Sequence, residues 1–392
     1  MSLASVLEDV VITTTVLFAG FYAFYSACCF WYFKKKKTFA VDRINDRDAP
    51  TISVIIPTYN EESVIARRIE NFKSIEYPHG KLQIVIVDAS TDSTAQIIEQ
   101  MKGDDLDLIL IREIQRGAGF NGAVMAGFNV SSGSVISITG ADTEFERDAL
   151  LQVVKYFSRE NVGVVTGRMV IRNPQVLSGK LEKTYRDLYD FMRQRESLMD
   201  SCFDIKGELC AARREIVREI LRKPGIAMGK GSVDTCFAFQ SRMMGMRTVY
   251  EPQAVYYEDA PGLMRESFQQ TVRRGQVHIE AMSEYKEMFF NRKLGAFGLV
   301  IAPAHLAMVI ILPLVLGLQT LSLVSLFIID PSNPLALTLI FLELLAIAMS
   351  RYVQAFAKIQ ICLIGAMGRL LLGRKTYGTG HTRLASTRRV QE

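Results

Sequence analysis

An α/β domain with a mostly parallel, Rossmann-like sheet, carried on three membrane-spanning helices, is the fold that this sequence predicts. Three observations lead there. Long apolar stretches lie near the start and in the last quarter of the chain, and between about 50 and 290 short β-branched runs alternate with segments of helical period. The mean hydropathy over 392 residues is +0.16, on the apolar side for a chain wholly in water. Four parts follow: a membrane helix with a basic end (1–37), a cytoplasmic domain with an interfacial amphipathic helix near 262–290 (38–290), two further membrane helices and an amphipathic segment (291–375), and a flexible basic tail (376–392).

The first element runs from Val10 to Phe33 without a charge, ends in Trp31-Tyr32-Phe33, and meets Lys34-Lys35-Lys36-Lys37. About 20 apolar residues cross a bilayer core as a helix, so this run is long enough. A cleaved leader would carry its positive charge ahead of a shorter apolar core, whereas Glu8 and Asp9 precede this one. Interfacial aromatics and the lysines after them put the N-terminus outside and the following domain in the cytoplasm of a cell-membrane protein. The second apolar block, Phe297 to Ile329, has His305 as its one ionisable residue and Pro303 and Pro313 as possible breaks, so it reads as one tilted helix or as an interfacial piece followed by a span. After the turn Asp330-Pro331-Ser332-Asn333-Pro334, a third span covers Leu335 to Ser350, and Arg351 and Lys358 return the chain to the cytoplasmic side. Glu343 within that span calls for a helix partner or a polar crevice.

In the cytoplasmic part, Ile52 to Pro57 reads as a buried strand and Glu61 to Ile75 as a helix with Val64, Ile65, Ile69 and Phe72 on one face. Leu82 to Asp88 is a second strand, Ser93 to Met101 a helix, Leu108 to Ile111 a strand, Gly119 to Phe128 a helix, and Val135 to Ile138 a strand. Ligands of such sheets bind beyond the carboxyl ends of the strands. Pro57-Thr58-Tyr59-Asn60-Glu61-Glu62, Asp88-Ala89-Ser90-Thr91-Asp92-Ser93-Thr94 and Gly140-Ala141-Asp142-Thr143-Glu144 follow three of them. One such end is explained by helix capping, as Asp92 and Ser93 are; three on one edge point to a site.

The formal net charge of +5 lies beside the apolar stretches and in the tail, which suits topology and anionic lipid rather than nucleic acid. Six scattered cysteines with no C-x-x-C pair argue against a disulfide framework or a structural zinc. Three spans with one acid form a poor pore, which sets a transporter aside.

Taken together, P-T-Y-N-E-E, V-D-A-S-T-D-S-T and the acidic third strand end resemble glycosyltransferase family 2, with its GT-A fold. Gly231-Ser232-Val233-Asp234-Thr235 stands where that family has T-E-D, Glu258-Asp259-Ala260-Pro261 resembles its E-E-A-P stretch, and Gln270-Thr271-Val272-Arg273-Arg274 resembles Q-x-x-R-W. With flanking membrane helices, the layout is similar to a reduced cellulose-synthase-like enzyme, nearest to the archaeal mannosyltransferases of N-glycan assembly.

The resemblance implies roles. Thr58, Tyr59 and Glu61 would line the base and ribose pocket, Asp88 would hydrogen-bond the base, and Arg116, in a stretch similar to G-K-A-G-A-L-N, would meet the diphosphate. Asp142 matches the second aspartate of D-x-D, Gly140 replacing the first, and would bind Mg²⁺ or Mn²⁺; Glu144 is a possible second ligand. Asp234 would be the base of an inverting transfer, with Gln270, Arg273 and Arg274 at the diphosphate and acceptor. Arg274 replaces the Trp that stacks on the acceptor sugar in processive relatives, which favours one or a few additions to a lipid or lipid-linked glycan. Mannose from GDP-mannose is the expected donor. The alternatives are a polyprenyl-phosphate sugar synthase or small processive polysaccharide synthase using a UDP-sugar, and a nucleotide-sugar-binding pseudoenzyme.

Overall fold

The computed structural model describes residues 2–35, 41–42, 44–113, 119–205 and 207–374. Arg116, Lys36, Lys37 and the basic tail lie outside these described residues.

Eight strands form one sheet in the order β3-β2-β1-β4-β7-β6-β8-β5. They are β1 (Ile52–Thr58), β2 (Leu82–Asp88), β3 (Asp107–Arg112), β4 (Val135–Ile138), β5 (Glu144–Phe145), β6 (Val162–Ile171), β7 (Cys210–Arg213) and β8 (Arg247–Glu258). Neighbours among β3, β2, β1 and β4 are parallel, as are β6 and β8; β7 runs antiparallel to β4 and β6, and β5 to β8. The sheet is therefore mixed with a parallel majority. Alternating residues of the strands go to two cores. Ile55, Val85, Val87 and Ile138 pack on one face with Phe203, Phe237 and Phe297, while Ile52, Val54, Ile56, Ile84 and Ile86 pack on the other with Ile69 and Phe72. Both faces are covered, which is why these strands read as unbroken apolar runs.

Between the strands run α2 (Ile65–Lys73), α3 (Thr94–Met101), α4 (Gly119–Val130), α5 (Ala149–Val154), the long α6 (Leu177–Met199), and the short α7 (Arg214–Leu221), α8 (Pro224–Ala227) and α9 (Phe237–Met243). The helix expected to start at Glu61 starts at Ile65, because Glu61 to Val64 form a turn whose amides bond across to the next loop. The interfacial helix is α10 (Met264–Glu284).

Among the described residues, three helices are long and apolar enough to cross a membrane: α1 (Leu3–Lys35), of which Leu3–Trp31 is the apolar part, Phe297–Ile329, and α14 (Arg351–Leu371). Phe297–Ile329 is one helical run in which π-helical turns precede α11 (Ala302–Leu306) and α12 (Leu312–Ile329). Pro303 and Pro313 sit in the first turn of each, where the widened turns absorb the missing N–H groups without a break. Its first half belongs to the domain core through Phe297, Ile301, Ala302 and Val309. The span expected over Leu335 to Ser350 is α13 (Pro334–Met349), of 16 residues. At 1.5 Å per residue it reaches roughly 24 Å, short of a hydrocarbon core of about 30 Å. Lys358, read as a marker of the cytoplasmic side, is instead buried within α14, where its Nζ donates to Ser267 Oγ on α10. Glu343 does find a helix partner, Gln319 Nε2, at 3.3 Å.

Glu196 of α6 joins these helices to the domain. Its Oε1 accepts from the Tyr25 hydroxyl of α1 at 2.6 Å and lies 2.7 Å from His305 Nε2, while Oε2 accepts from Phe203 N at 3.1 Å. All four residues are buried. Glu196→Ala leaves these groups without their acceptor and should cost about 3 kcal/mol or more of stability. Glu196→Gln, which keeps one acceptor, should cost less. Thermal unfolding of both variants in detergent checks the order.

Candidate active site

Because β1 lies between β2 and β4, the loops that leave all three strands meet at one edge. Asn60 adopts the left-handed region (φ 54°), which its short polar side chain tolerates. It turns the first loop so that Asn60 Oδ1 accepts from Thr91 N (2.9 Å) and Asn60 N donates to Ser90 Oγ (2.7 Å). Glu61 N donates to Thr94 Oγ1 and Ser93 N to Glu62 Oε2. Asp92 caps α3 through Thr94 N at 3.0 Å, the structural role expected of it. Much of both motifs is thus spent on locking two loops together.

Beyond this edge opens a cavity of about 730 Å³. Of the expected site residues, Thr58, Tyr59, Glu61, Asp142, Asp234, Gln270, Arg273 and Arg274 all line it. Asp88 does not. It is fully buried, its Oδ1 accepts from Thr58 Oγ1 (2.8 Å) and Ser90 Oγ (2.5 Å), and its Oδ2 pairs with Arg112 Nη1 (2.7 Å). With its carboxylate engaged by Thr58, Ser90 and Arg112, Asp88 stands behind Thr58 rather than on the cavity wall.

Asp142 stands at the mouth of β4 with its Oδ1 over Gly140, where a Cβ would come within 2.6 Å of it. Behind lies Arg68, 1% exposed, donating to Asn71 Oδ1 and Thr139 Oγ1 and stacked on Phe72 and Phe145. Burial lowers the pKa of its guanidinium, and the Asp142 and Glu144 carboxylates partly restore it. Glu144 itself pairs with Arg67 and Arg172 and does not line the cavity, so it is no second ligand here.

Asp234 precedes α9 in a loop held by Asn121 of α4. Asn121 Nδ2 donates to Ile226 O (2.9 Å) and Gly231 O (3.2 Å), and its Oδ1 accepts from Val233 N (3.2 Å). The Ser232 hydroxyl donates to Asp234 Oδ1. Gly207 lies so close to Oδ2 that any Cβ there would overlap it. Burial raises the Asp234 carboxyl above its ordinary range, the Ser232 hydrogen bond pulls it back, and the charge of Glu208 adds to the rise.

Arg274 lines the cavity with its charge already engaged by acids. Its guanidinium sits among Glu182 (3.6 Å), Glu208 (3.4 Å) and Glu258 (3.4 Å). Burial disfavours its charge, but Glu258 and Glu208 outweigh that and raise its pKa. Burial, together with Glu208, pushes Glu258 up to about 8 despite Arg274, with Asp142 adding to the rise. Glu182, Glu208 and Arg186 line the cavity as well, and sequence reasoning did not single them out. Glu182 and Arg186 look like an ordinary i, i+4 ion pair of a surface helix, and Glu208 belongs to no motif. Glu258 was visible only as part of its motif.

A divalent cation fits this donor set. Among the described residues no three His, Cys, Asp or Glu side chains are grouped to hold a metal unaided. One hard carboxylate at the cavity wall, whose charge adds to burial and Glu208 in raising Glu258, suits an ion that completes its shell with substrate phosphates and water.

Residues 53–221 match the pattern described as Glycosyl transferase family 2. The solved structure of the mannosyltransferase PcManGT from Pyrobaculum calidifontis, in complex with GDP-Man and Mn²⁺, superposes with a TM-score of 0.80 at 27% identity, covering 94% of this chain and 99% of that one. The beta-monoglucosyldiacylglycerol synthase of Nostoc sp. is 34% identical over 154 residues, 38% of this chain and 33% of that protein. The poly-beta-1,6-N-acetyl-D-glucosamine synthase of Staphylococcus aureus is 25% identical over 260 residues, 66% of this chain and 61% of that protein. The chain thus spans between a third and about three fifths of these curated relatives.

Gly207→Ala should displace Asp234 and lower the turnover of the site by about 100-fold, the scale of an ångström-sized misplacement. Donor turnover measured beside thermal unfolding checks that the loss is local. With its GT-A sheet, its strand-end loops and these relatives, this chain carries a glycosyl transferase family 2 domain over residues 53–221.

Proposed function

We propose that the chain is an inverting membrane glycosyltransferase that moves a hexose from a nucleotide-sugar, mannose from GDP-mannose by preference, to a lipid or lipid-linked glycan. One observation carries this reading: a single cavity runs from the ends of β1 and β4, past Asp142 and Asp234, to walls supplied by Tyr22 of α1, Met308, and Phe356 of α14. A polar donor end and an apolar end between helices able to cross a membrane suit a water-soluble donor and an amphiphilic acceptor. The preference for GDP-mannose rests on the Pyrobaculum mannosyltransferase, whose structure holds GDP-Man and Mn²⁺. UDP-glucose and UDP-N-acetylglucosamine are the competing donors. In the cell membrane, the lysine cluster after α1 would put the catalytic domain in the cytoplasm and the N-terminus outside.

In this reading Thr58, Tyr59 and Glu61 hold the base and ribose, and Asp88 acts on them through Thr58. Arg273 and Gln270, with Arg116, face the diphosphate. Asp142 would hold Mn²⁺ or Mg²⁺ together with the donor's phosphate oxygens. When bound, the ion offsets the charge that the leaving diphosphate gains. The acceptor hydroxyl oxygen attacks the anomeric carbon as the carbon–oxygen bond to the diphosphate breaks on the opposite side. Asp234 takes the hydroxyl proton. Its environment makes it a stronger base than an ordinary carboxylate, while the Ser232 hydrogen bond favours its ionised form.

Screening nucleotide-sugars for diphosphate release in detergent, with Mn²⁺, Mg²⁺ or a chelator, tests the reading. One donor should be turned over, and chelation should abolish it. Asp142→Ala and Asp234→Asn should each lose about 100-fold to 10,000-fold. A donor that binds without turnover, even with membrane lipid extract added, would make the chain a nucleotide-sugar-binding protein. The acid limb of the pH–rate profile should report a base with a pKa above the usual carboxylate range. Ser232→Ala removes a bond that favours the ionised form, so it should move that limb to higher pH.

A further inference from the structure

Beyond the residues already assigned, the cavity wall carries three buried polar side chains with unused hydrogen-bonding atoms. Arg186 of α6 is 2% exposed; its Nη2 pairs with Glu182, but Nε and Nη1 are buried and bond to nothing. Glu258 is 7% exposed, with Oε1 on Arg274 and Oε2 buried and without a donor. Gln360 of α14 is 3% exposed, and its Oε1 likewise has no partner. All three line the same cavity. Buried polar atoms left unpaired are costly, so a wall that holds several of them is shaped for a ligand that supplies the missing bonds. Unused donors and unused acceptors occur together, which suits hydroxyl groups, each able to give and to accept.

The charges decide against an anion. Glu182 bridges Arg186 and Arg274, and Arg274 reaches on to Glu208 and Glu258. Both guanidiniums of this connected group are already committed to carboxylates, and with Glu258 pushed up to about 8, and so largely protonated near neutral pH, two charged carboxylates balance them and leave no free positive charge for an anion. A phosphate monoester brought here would have to compete with those pairs, whereas an uncharged polyol would not. On the same helix, Tyr185 and Tyr189 lie with ring centroids 4.3 Å apart and also line the cavity, offering aromatic faces of the kind that cover the apolar side of a sugar ring.

We propose that Arg186, Glu258 and Gln360 form the acceptor subsite and that it takes an uncharged, hydroxyl-rich end group, so that the nucleophile is a carbon-bound hydroxyl and not a phosphate. The identity of this subsite as the acceptor's rests on the transferase reading above. Two sources share this chemistry, the terminal sugar of a glycolipid and the glycerol of a diacylglycerol-type lipid. The subsite separates the chain from synthases that glycosylate a polyprenyl phosphate directly. It also assigns Arg274 a role in place of the stacking aromatic, since it holds Glu258 with one oxygen turned free.

The test uses the full chain in nanodiscs and three short probes with one common tail: hexyl mannoside, 1-O-hexylglycerol and hexyl phosphate. Binding is read without donor by saturation-transfer NMR, and transfer is read with donor by mass spectrometry of the product. One of the neutral probes should bind at least about tenfold more tightly than hexyl phosphate, and which one it is distinguishes a sugar from a glycerol end. Arg186→Lys, which keeps the charge but loses the planar fork, and Glu258→Gln should each weaken that binding about tenfold and raise the acceptor KM more than they lower kcat. Thermal unfolding reports whether Arg186→Lys folds; if it does not, Glu258→Gln and Gln360→Ala carry the measurement. Equal or tighter binding of hexyl phosphate, or a glycosylated phosphate product, overturns the subsite while leaving the transferase reading intact. Specific binding of a neutral probe by a chain that turns over no donor leaves the polyol subsite standing and removes the transferase reading.

Discussion

The parallel pairing of β1 with both β2 and β4 is the constraint from which the site follows. In register, Thr58 lies opposite Asp88 and Ile55 opposite Ile138, so the loops carrying Tyr59, Ser90 and Asp142 are neighbours as soon as the sheet forms. The backbone ladder does the aligning; side chains then lock the loops, through Asn60 with Thr91 and Glu61 with Thr94. Because both faces of these strands are buried, a slip of one residue would move each apolar set to the wrong core.

The second half of the site is held by helices rather than strands. Helix α6 contributes Glu182 and Arg186 to the cavity and, further along, Glu196 to the bonds with α1 and α11. Helix α10 contributes Arg274, and α14 is joined to it by Lys358 on Ser267. The membrane-facing helices are thus not a passive anchor. They form one wall of the cavity, and the buried polar bonds between them and the domain set where that wall stands.

Much of the donor side was legible in the sequence because it is local. A buried strand followed by a polar, acid-bearing loop is a short signal, and Thr58 and Asp142 each stand in one, while Asp234 stands in a short motif before a helix. The acceptor side was not legible. Glu182 and Arg186 sit four residues apart in a charged helix, a pattern that solvated surfaces share, and only the fold places them against Arg274, far along the chain. The neighbours of the apolar helices were hidden for a related reason: the sequence does not show that Lys358 donates to Ser267, nor that Asn333 and Ser350 cap the starts of α13, of 16 residues, and of α14.

By itself the sequence determined the α/β class, the apolar helices and the strand-end motifs, since hydrophobic period and turn chemistry act over a few residues. Tertiary structure alone decided that Asp88 is spent on Thr58 and Arg112, that Asn121 clamps the Asp234 loop, that Gly207 leaves room for that carboxylate, and that Arg274 lies in a ring of three glutamates. The physical reason is the same in each case: the charge and hydrogen-bonding state of a buried group depends on what the fold brings within a few ångströms of it. Those neighbours come from distant parts of the chain.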